Sequence, residues 1–251
     1  MIYKDIHTFL ENYDSDNVVF CYGNNAVTDM ATNLVLSAKR VGMPIVLFAL
    51  DKKISDALKD ICDVVNYFDK NIDQDKFYDY GTQEYKKIVW HGFFIGHEIL
   101  RYNKSYLYLD IDIIIMKEFE DEIVNKLYYE DDTDCVVQGF KAFPHSDIFA
   151  CTGLVAMKPT ERTLAISPEY FRENSYLNWG NDQLFFNEMI MRTKLLNIKT
   201  LNINMYPVGS HYYAEHAKIK NMCRIVHFNS VIGRAAKIEK MKEFNLYNYV
   251  Q

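Results

Sequence analysis

The chain is 251 residues long, 49% hydrophobic and 25% charged, with a formal charge of −6 at pH 7. It is long enough for one substantial core, and its acidity, with no Lys/Arg run, argues against a nucleic-acid partner. Five scattered cysteines (Cys21, Cys62, Cys135, Cys151, Cys223) form no C-x-x-C pair, which suits a reducing compartment and argues against disulfides or a zinc site.

In chain order, Met1 to His7 carries no signal-peptide core. Asn17–Tyr22 predicts a buried strand. The Gly23-Asn24-Asn25 turn follows, and Val27, Met30, Ala31, Leu34, Val35, Ala38 and Val41 recur at helical spacing. Pro44–Leu50, closed by Asp51, predicts a second strand. The longest apolar run, Val41–Leu50, is broken by Gly42 and Pro44 and is too short for a bilayer. A short helix near Ser55–Lys59 and a strand near Val64–Phe68 complete a β-α-β-α-β opening, the start of a parallel sheet with right-handed crossovers. Asp69–Gly81 reads as a polar loop, and a long helix is expected over Thr82–Tyr102. Later strands are expected at Cys135–Phe140, Ile148–Met157, Ile198–Ile203 and Arg224–Phe228. Later helices are expected at Pro159–Ile166, Asp182–Met191 and Ala235–Phe244. With no repeat, low-complexity tract or Pro/Gly-rich linker, the expectation is one α/β domain over 1–251, in a soluble, cytoplasmic protein with no membrane span.

Between the long helix and Cys135 lies the most informative segment, Tyr106-Leu-Tyr-Leu-Asp-Ile-Asp-Ile-Ile-Ile-Met116. Read as one strand, it turns Asp110 and Asp112 to the same face. Two adjacent carboxylates in apolar surroundings need a cation or a proton between them, and hard oxygen ligands suit Mg²⁺ or Mn²⁺. A lone Asp-x-Asp also occurs on solvated strand ends, but the Tyr/Leu and Ile flanks describe a buried strand.

The second half adds three candidate elements. Gly153, in Cys151-Thr-Gly-Leu-Val-Ala-Met157, either admits a ligand or a backbone closely or marks a bulge. Trp179–Asn187 is a loop entering a helix, where Asn181 or Asp182 fits an N-cap. Val226–Lys237 delivers His227 at a strand end, then Gly233 and Lys237 at a new helix, residue types that receive phosphate oxygens. A strand-end His is often only structural; beside a carboxylate pair it becomes a candidate third ligand. The nineteen tyrosines either line a sugar site or cover half-buried surface.

From Val18 to about Tyr247 the chain resembles the GT-A glycosyltransferases, most closely the nucleotide-diphospho-sugar transferase group that includes plant cell-wall retaining enzymes. The resemblance is carried by the opening to Asp51, Leu109-Asp-Ile-Asp-Ile113, Thr152-Gly153, Asp182-Gln183 with Asn187, and His227-Phe-Asn229 with Gly233 and Lys237. It implies a Rossmann-like α/β/α sandwich with a mostly parallel central sheet. Residues 17–115 would serve the nucleotide, and residues 116–251 the acceptor and the completion of the metal site. It implies Mn²⁺ or Mg²⁺ held by Asp110, Asp112 and His227. It also implies a nucleotide-sugar donor, UDP-sugar by default, bordered by Gly23, Asn24, Asn25, Asp110, Gly153, Gly233 and Lys237. Asp182 and Gln183 would be the catalytic pair near the anomeric carbon, with transfer to a glycan, protein or small-molecule acceptor and retention of configuration. Lys87 and His91 are further donor candidates. Cys151 stands where the family usually has Asn, so sugar specificity does not carry over.

Two alternatives remain open in the sequence. A haloacid-dehalogenase-like phosphatase would use Asp110 as nucleophile and Asp112 as acid/base. Against it, Asp110 lies far into the chain, Ile114 departs from that pattern, and Asp131, Asp132 and Asp134 fall in an acidic loop. The other alternative is a glycan-binding module without catalysis.

Overall fold

The computed structural model describes residues 1–130, 132–140, 149–173 and 181–247. Asp131, Ile148 and Trp179, named above, lie outside the described residues. The strands are β1 (Ile2–Tyr3), β2 (Asn17–Gly23), β3 (Val46–Ala49), β4 (Asp63–Asn66), β5 (Ser105–Leu109), β6 (Ile113–Ile115), β7 (Cys135–Phe140), β8 (Phe149–Met157), β9 (Ile198–Thr200) and β10 (Ile225–His227). The helices are α1 (Ile6–Asn12), α2 (Thr28–Arg40), α3 (Lys52–Leu58), α4 (His91–Arg101), α5 (Glu120–Tyr129), α6 (Glu161–Ala165), α7 (Pro168–Glu173), α8 (Asp182–Phe185), α9 (Gly209–Ile219) and α10 (Arg234–Glu243).

Eight strands form one sheet in the order β1-β4-β3-β2-β5-β8-β7-β9. Neighbours from β1 to β5 are parallel, β8 runs antiparallel to β5 and β7, and β9 is parallel to β7. Strand alternation sorts the core into two layers. Val19, Cys21, Leu47, Leu107 and Leu109 pack with Leu34 of α2, Ile54 of α3, Ile123 of α5 and Tyr212 of α9. The intervening Val18, Phe20, Phe48, Tyr106 and Tyr108 pack with Phe9 of α1, Ile95 and Ile99 of α4, and Phe171 of α7. The result is the expected α/β/α sandwich with a mostly parallel sheet. Because β2 lies between β3 and β5, the chain reverses its lateral direction there, and the crevice beyond the carboxyl ends of β2 and β5 is where such sheets bind ligands.

Several elements differ from the sequence expectation. The strand expected over Tyr106–Met116 stops at Leu109, and β6 belongs to a separate two-stranded ribbon with β10. The helix expected over Thr82–Tyr102 begins only at His91, after a single 3-10 turn at Tyr85–Lys87. Tyr85, Ile88 and Val89 mimic helical spacing but line a cavity. The helix from Asp182 is α-helical to Phe185 and π-helical over Phe186–Met191. β1, α1, α5, α7 and α9 were not expected. The first residues of α9 are capped from afar, since Asn229 Oδ1 accepts from Gly209 N at 3.0 Å and Ser230 Oγ from Ser210 N at 2.8 Å. A cap twenty residues away leaves no local signal. Among the described residues no helix is long and apolar enough to cross a membrane.

Candidate active site

The chain leaves the main sheet at Asp110, whose amide still donates to Gly153 O of β8 at 2.7 Å. A turn closes with Ile113 N donating to Asp110 O at 3.1 Å, and β6 then pairs antiparallel with β10, setting Ile113 opposite His227. Phe228 N donates to Asp112 O at 3.1 Å. Asp110 and Asp112 therefore meet through a turn between two sheets, not through alternation along one strand. Asp110 stays on the main sheet, and Asp112 is carried beside His227.

The ligand atoms of Asp110, Asp112 and His227 lie within 4.8 Å of one another. His227 is 1% exposed, and its Nε2 sits 3.1 Å from Asp112 Oδ1 and 3.3 Å from Asp110 Oδ2 without the alignment of a hydrogen bond. Lys237 Nζ donates to Asp112 Oδ2 at 2.5 Å, and the Tyr108 hydroxyl donates to Asp110 Oδ1. Burial alone would raise the Asp112 carboxyl, but Lys237 and then His227 outweigh it and hold it well below the carboxylate range. Burial opposes charge on His227 as well, yet Asp112 holds its imidazole well above the ordinary value.

These groups open onto a cavity of ≈ 360 Å³ at the carboxyl ends of β2 and β5. Gly23, Asn24, Asp110, Asp112, Asp182, Gln183, His227, Gly233 and Lys237 line it. Its walls are aromatic, with Tyr22 stacked on Tyr108 at 5.5 Å and Phe77, Tyr78 and Tyr85 supplied by the segment before α4. Asn24 anchors that segment, donating through Nδ2 to Asp73 O at 2.8 Å and Lys76 O at 2.9 Å. Gly233, with φ of +90°, opens α10 and, having no side chain, supplies no cap to its first-turn amides. Asp182 lies in the first turn of α8, which Asn181 caps by accepting from Leu184 N at 2.6 Å. Desolvation, then Asp110, pushes the Asp182 carboxyl up to about 7, against the Thr152 hydroxyl, which pulls it down.

Three residues expected near the donor lie outside the cavity lining. Asn25 is not among the cavity residues; its amide group donates to Asp75 and its backbone N–H to Asp51. Lys87 and His91 are also absent from the lining, and His91 is spent on Ile88 O at 2.9 Å and Asp69 at 3.2 Å. Gly153 makes room for side chains of this chain, since a Cβ there would lie 2.0 Å from His227 Cε1 and 2.8 Å from Asp110 Oδ2. Sequence reasoning missed Tyr108, which holds Asp110, and Gln138, whose Oε1 lies 2.9 Å from His227 Nδ1. The signal for Gln138 was a lone amide directly after Cys135, Val136 and Val137.

Residues 43–241 match the family model of the nucleotide-diphospho-sugar transferases. The chain belongs to that family. The match overturns the phosphatase alternative with Asp110 as nucleophile. A similar curated protein is the UDP-D-xylose:L-fucose alpha-1,3-D-xylosyltransferase MGP4 of Arabidopsis thaliana, 22% identical over 171 residues that make up 60% of this chain and 46% of that protein. The match thus spans about half the length of that relative. Among solved structures, a glycosyltransferase involved in glycosylation of the major capsid of PBCV-1 superposes with a TM-score of 0.57 at 10% identity, covering 90% of this chain and 98% of the other. Mouse xyloside xylosyltransferase 1 superposes at 0.52 and 12% identity, covering 91% and 98%. These neighbours share the GT-A fold with this chain.

Proposed function

We propose that the protein is a metal-dependent glycosyltransferase that moves a sugar from a nucleoside-diphosphate donor, UDP-sugar in the first instance, to an acceptor hydroxyl with retention of configuration. The convergence of Asp110, Asp112 and His227 at the mouth of the cavity carries this reading. The donor set fits a divalent cation of the Mn²⁺ or Mg²⁺ type, because two carboxylates face a buried imidazole nitrogen that has no hydrogen-bond partner. When bound, the ion supplies Lewis-acid neutralisation of the leaving diphosphate.

The remaining work falls to the chain. Lys237 and the uncapped first turn of α10 offer donors to diphosphate oxygens on the same side of the cavity. Gly23, Asn24 and the aromatic wall border the nucleoside and exclude water. Asp182, with its carboxyl poised near neutrality, serves as a hydrogen-bonding group toward the sugar and acceptor, and Gln183 adds an amide. In the retaining reading the leaving phosphate takes the acceptor proton, so Asp182 orients rather than deprotonates. In this reading residues 17–115 serve the donor, and residues 116–251 complete the metal site and receive the acceptor, a glycan, protein or small molecule. The xylosyl donor named for MGP4 supports UDP-sugar as the first donor class to try. Cys151, at the cavity wall, leaves the sugar itself open. The five cysteines, all free, support a reducing, cytoplasmic setting.

The test is calorimetric titration of UDP, GDP and their sugar conjugates with Mn²⁺, repeated in EDTA. Binding of one nucleotide only with metal is expected, followed by transfer with the α- or β-configuration of the donor preserved in the product NMR spectrum. Binding that survives EDTA would remove the metal from the reading. Metal-dependent binding with no transfer to a broad acceptor panel would favour the binding-module alternative.

A further inference from the structure

An imidazole has two nitrogens, and a metal ligand must present one of them as a lone pair. Nε2 of His227 faces Asp110 and Asp112 at 3.3 and 3.1 Å. Nδ1, on the opposite side of the ring, lies 2.9 Å from Gln138 Oε1. Gln138 is fully buried, and its amide nitrogen donates to Tyr206 O at 3.0 Å. A backbone carbonyl only accepts, so the Tyr206 contact fixes the amide with nitrogen outward and oxygen toward His227. An oxygen at Nδ1 demands a proton there, which leaves Nε2 as the nitrogen with a lone pair in the neutral ring.

The backbone supports the same assignment. The register of β7 against β8 shifts between Val137 and Gln138, an irregularity of the kind that re-aims a side chain beside a site. A buried amide is costly unless both ends are bonded, and here both are. Cys151 Sγ, 3.6 Å from Nδ1, is a weak competitor and already accepts from Asn229 Nδ2 at 3.2 Å.

We propose that Gln138 is a positioning residue that holds His227 in the Nδ1–H tautomer with Nε2 presented to the metal. This rests on the metal reading above. The experiment measures Mg²⁺ and Mn²⁺ affinity by calorimetry for the wild type, Gln138→Leu and Gln138→Glu, with ¹⁵N-histidine NMR of the diamagnetic Mg²⁺ form. Removing such a partner weakens metal binding by roughly 10- to 100-fold, so Gln138→Leu should fall in that range. Gln138→Glu keeps an acceptor at Nδ1 and should bind the metal at least tenfold more tightly than Gln138→Leu. The wild-type spectrum should show a proton on Nδ1 of His227. Equal affinity of Gln138→Leu and wild type would overturn the assignment while leaving the metal site intact, whereas a proton on Nε2 in the wild-type Mg²⁺ form would overturn the assignment and remove His227 from the ligand set. No metal binding by the wild type would overturn the metal reading, and this inference with it. Should Gln138→Leu fail to fold, the wild-type spectrum decides alone.

Discussion

Asp110 follows a five-residue strand whose neighbours on both sides belong to the central sheet, while His227 closes a three-residue strand in a two-stranded ribbon. The first is held by continuous ladders and by core on both faces. The second is held by one short antiparallel pairing, a 3.3 Å bond from its amide to Pro207 O, and side chains reaching from other elements. A site built this way has a rigid wall and a docked wall. The carboxylate that joins them is Asp112, which lies in the turn between the two sheets and touches Lys237 and His227 from the docked side.

Breaking that joint should therefore produce the largest effect. In Asp112→Ala, Lys237 loses the carboxylate it is bonded to and His227 keeps only Asp110, and removing one partner of a buried ion pair costs about 3–5 kcal/mol. Thermal unfolding should show that loss, and calorimetry should find no metal-dependent nucleotide binding; a variant that binds nucleotide like the wild type would contradict the site. Gly153→Ala attacks the rigid wall instead. Its Cβ would meet His227 Nδ1 at 2.7 Å and Asp110 Oδ2 at 2.8 Å, so the ribbon must give way. Overpacking of this kind costs about 1–3 kcal/mol, and metal affinity should fall more than stability does. Unchanged Mn²⁺ affinity would mean that the ribbon moves freely and that the docked wall is not held in place.

The same contrast explains what the sequence revealed. The Tyr106–Leu109 run could only be a buried strand, because every side chain in it is apolar or aromatic and both faces of the sheet are covered. Asp110 and Asp112 stood out for the same reason. Their geometry did not, because Ile113, Ile114 and Ile115 continue the apolar run without a break although the chain has changed sheets. Residues 82–90 misled in the opposite direction, since Tyr85, Ile88 and Val89 keep helical spacing while facing the cavity. On the docked wall, His227, Gly233 and Lys237 were recognisable as a spaced set. The contacts that place them were not, because Gln138, Asn229 and Gly209 are joined across 20 to 89 residues of sequence. Non-local bonds made by polar side chains leave no periodic trace.

A milder perturbation tests whether the docked wall also serves the donor. Lys237→Ala keeps Asp110, Asp112 and His227 together and removes one cation from the cavity. A charge-assisted hydrogen bond is worth about 1.5–3 kcal/mol, so nucleoside-diphosphate affinity should drop roughly 10- to 100-fold with metal present. Nucleoside monophosphate affinity should change less, because fewer phosphate oxygens reach α10. An equal loss for both would place Lys237 at the metal rather than at the diphosphate.

The smallest effect concerns Asp182, which faces the junction from α8. Burial and then Asp110 raise its carboxyl to about 7, while an unfolded chain holds it near the ordinary value of 3.8. The unfolded state therefore ionises first. Between those two values the native state binds more protons than the unfolded state, so stability from this group falls as pH rises. The contribution is fully present below pH 3.8 and is lost progressively until pH passes about 7. Asp182→Asn removes the titration without removing the volume. In EDTA, the variant should melt above the wild type at pH 8, and the gap should narrow toward pH 5. Asp182 is half-buried by accessible surface, so water screens part of the shift and the gap is smaller than the full displacement from 3.8 to about 7 would give. A gap that stays constant across that range would mean that Asp182 ionises as an ordinary surface carboxylate. The wall it belongs to would then be more open to water than the aromatic lining implies.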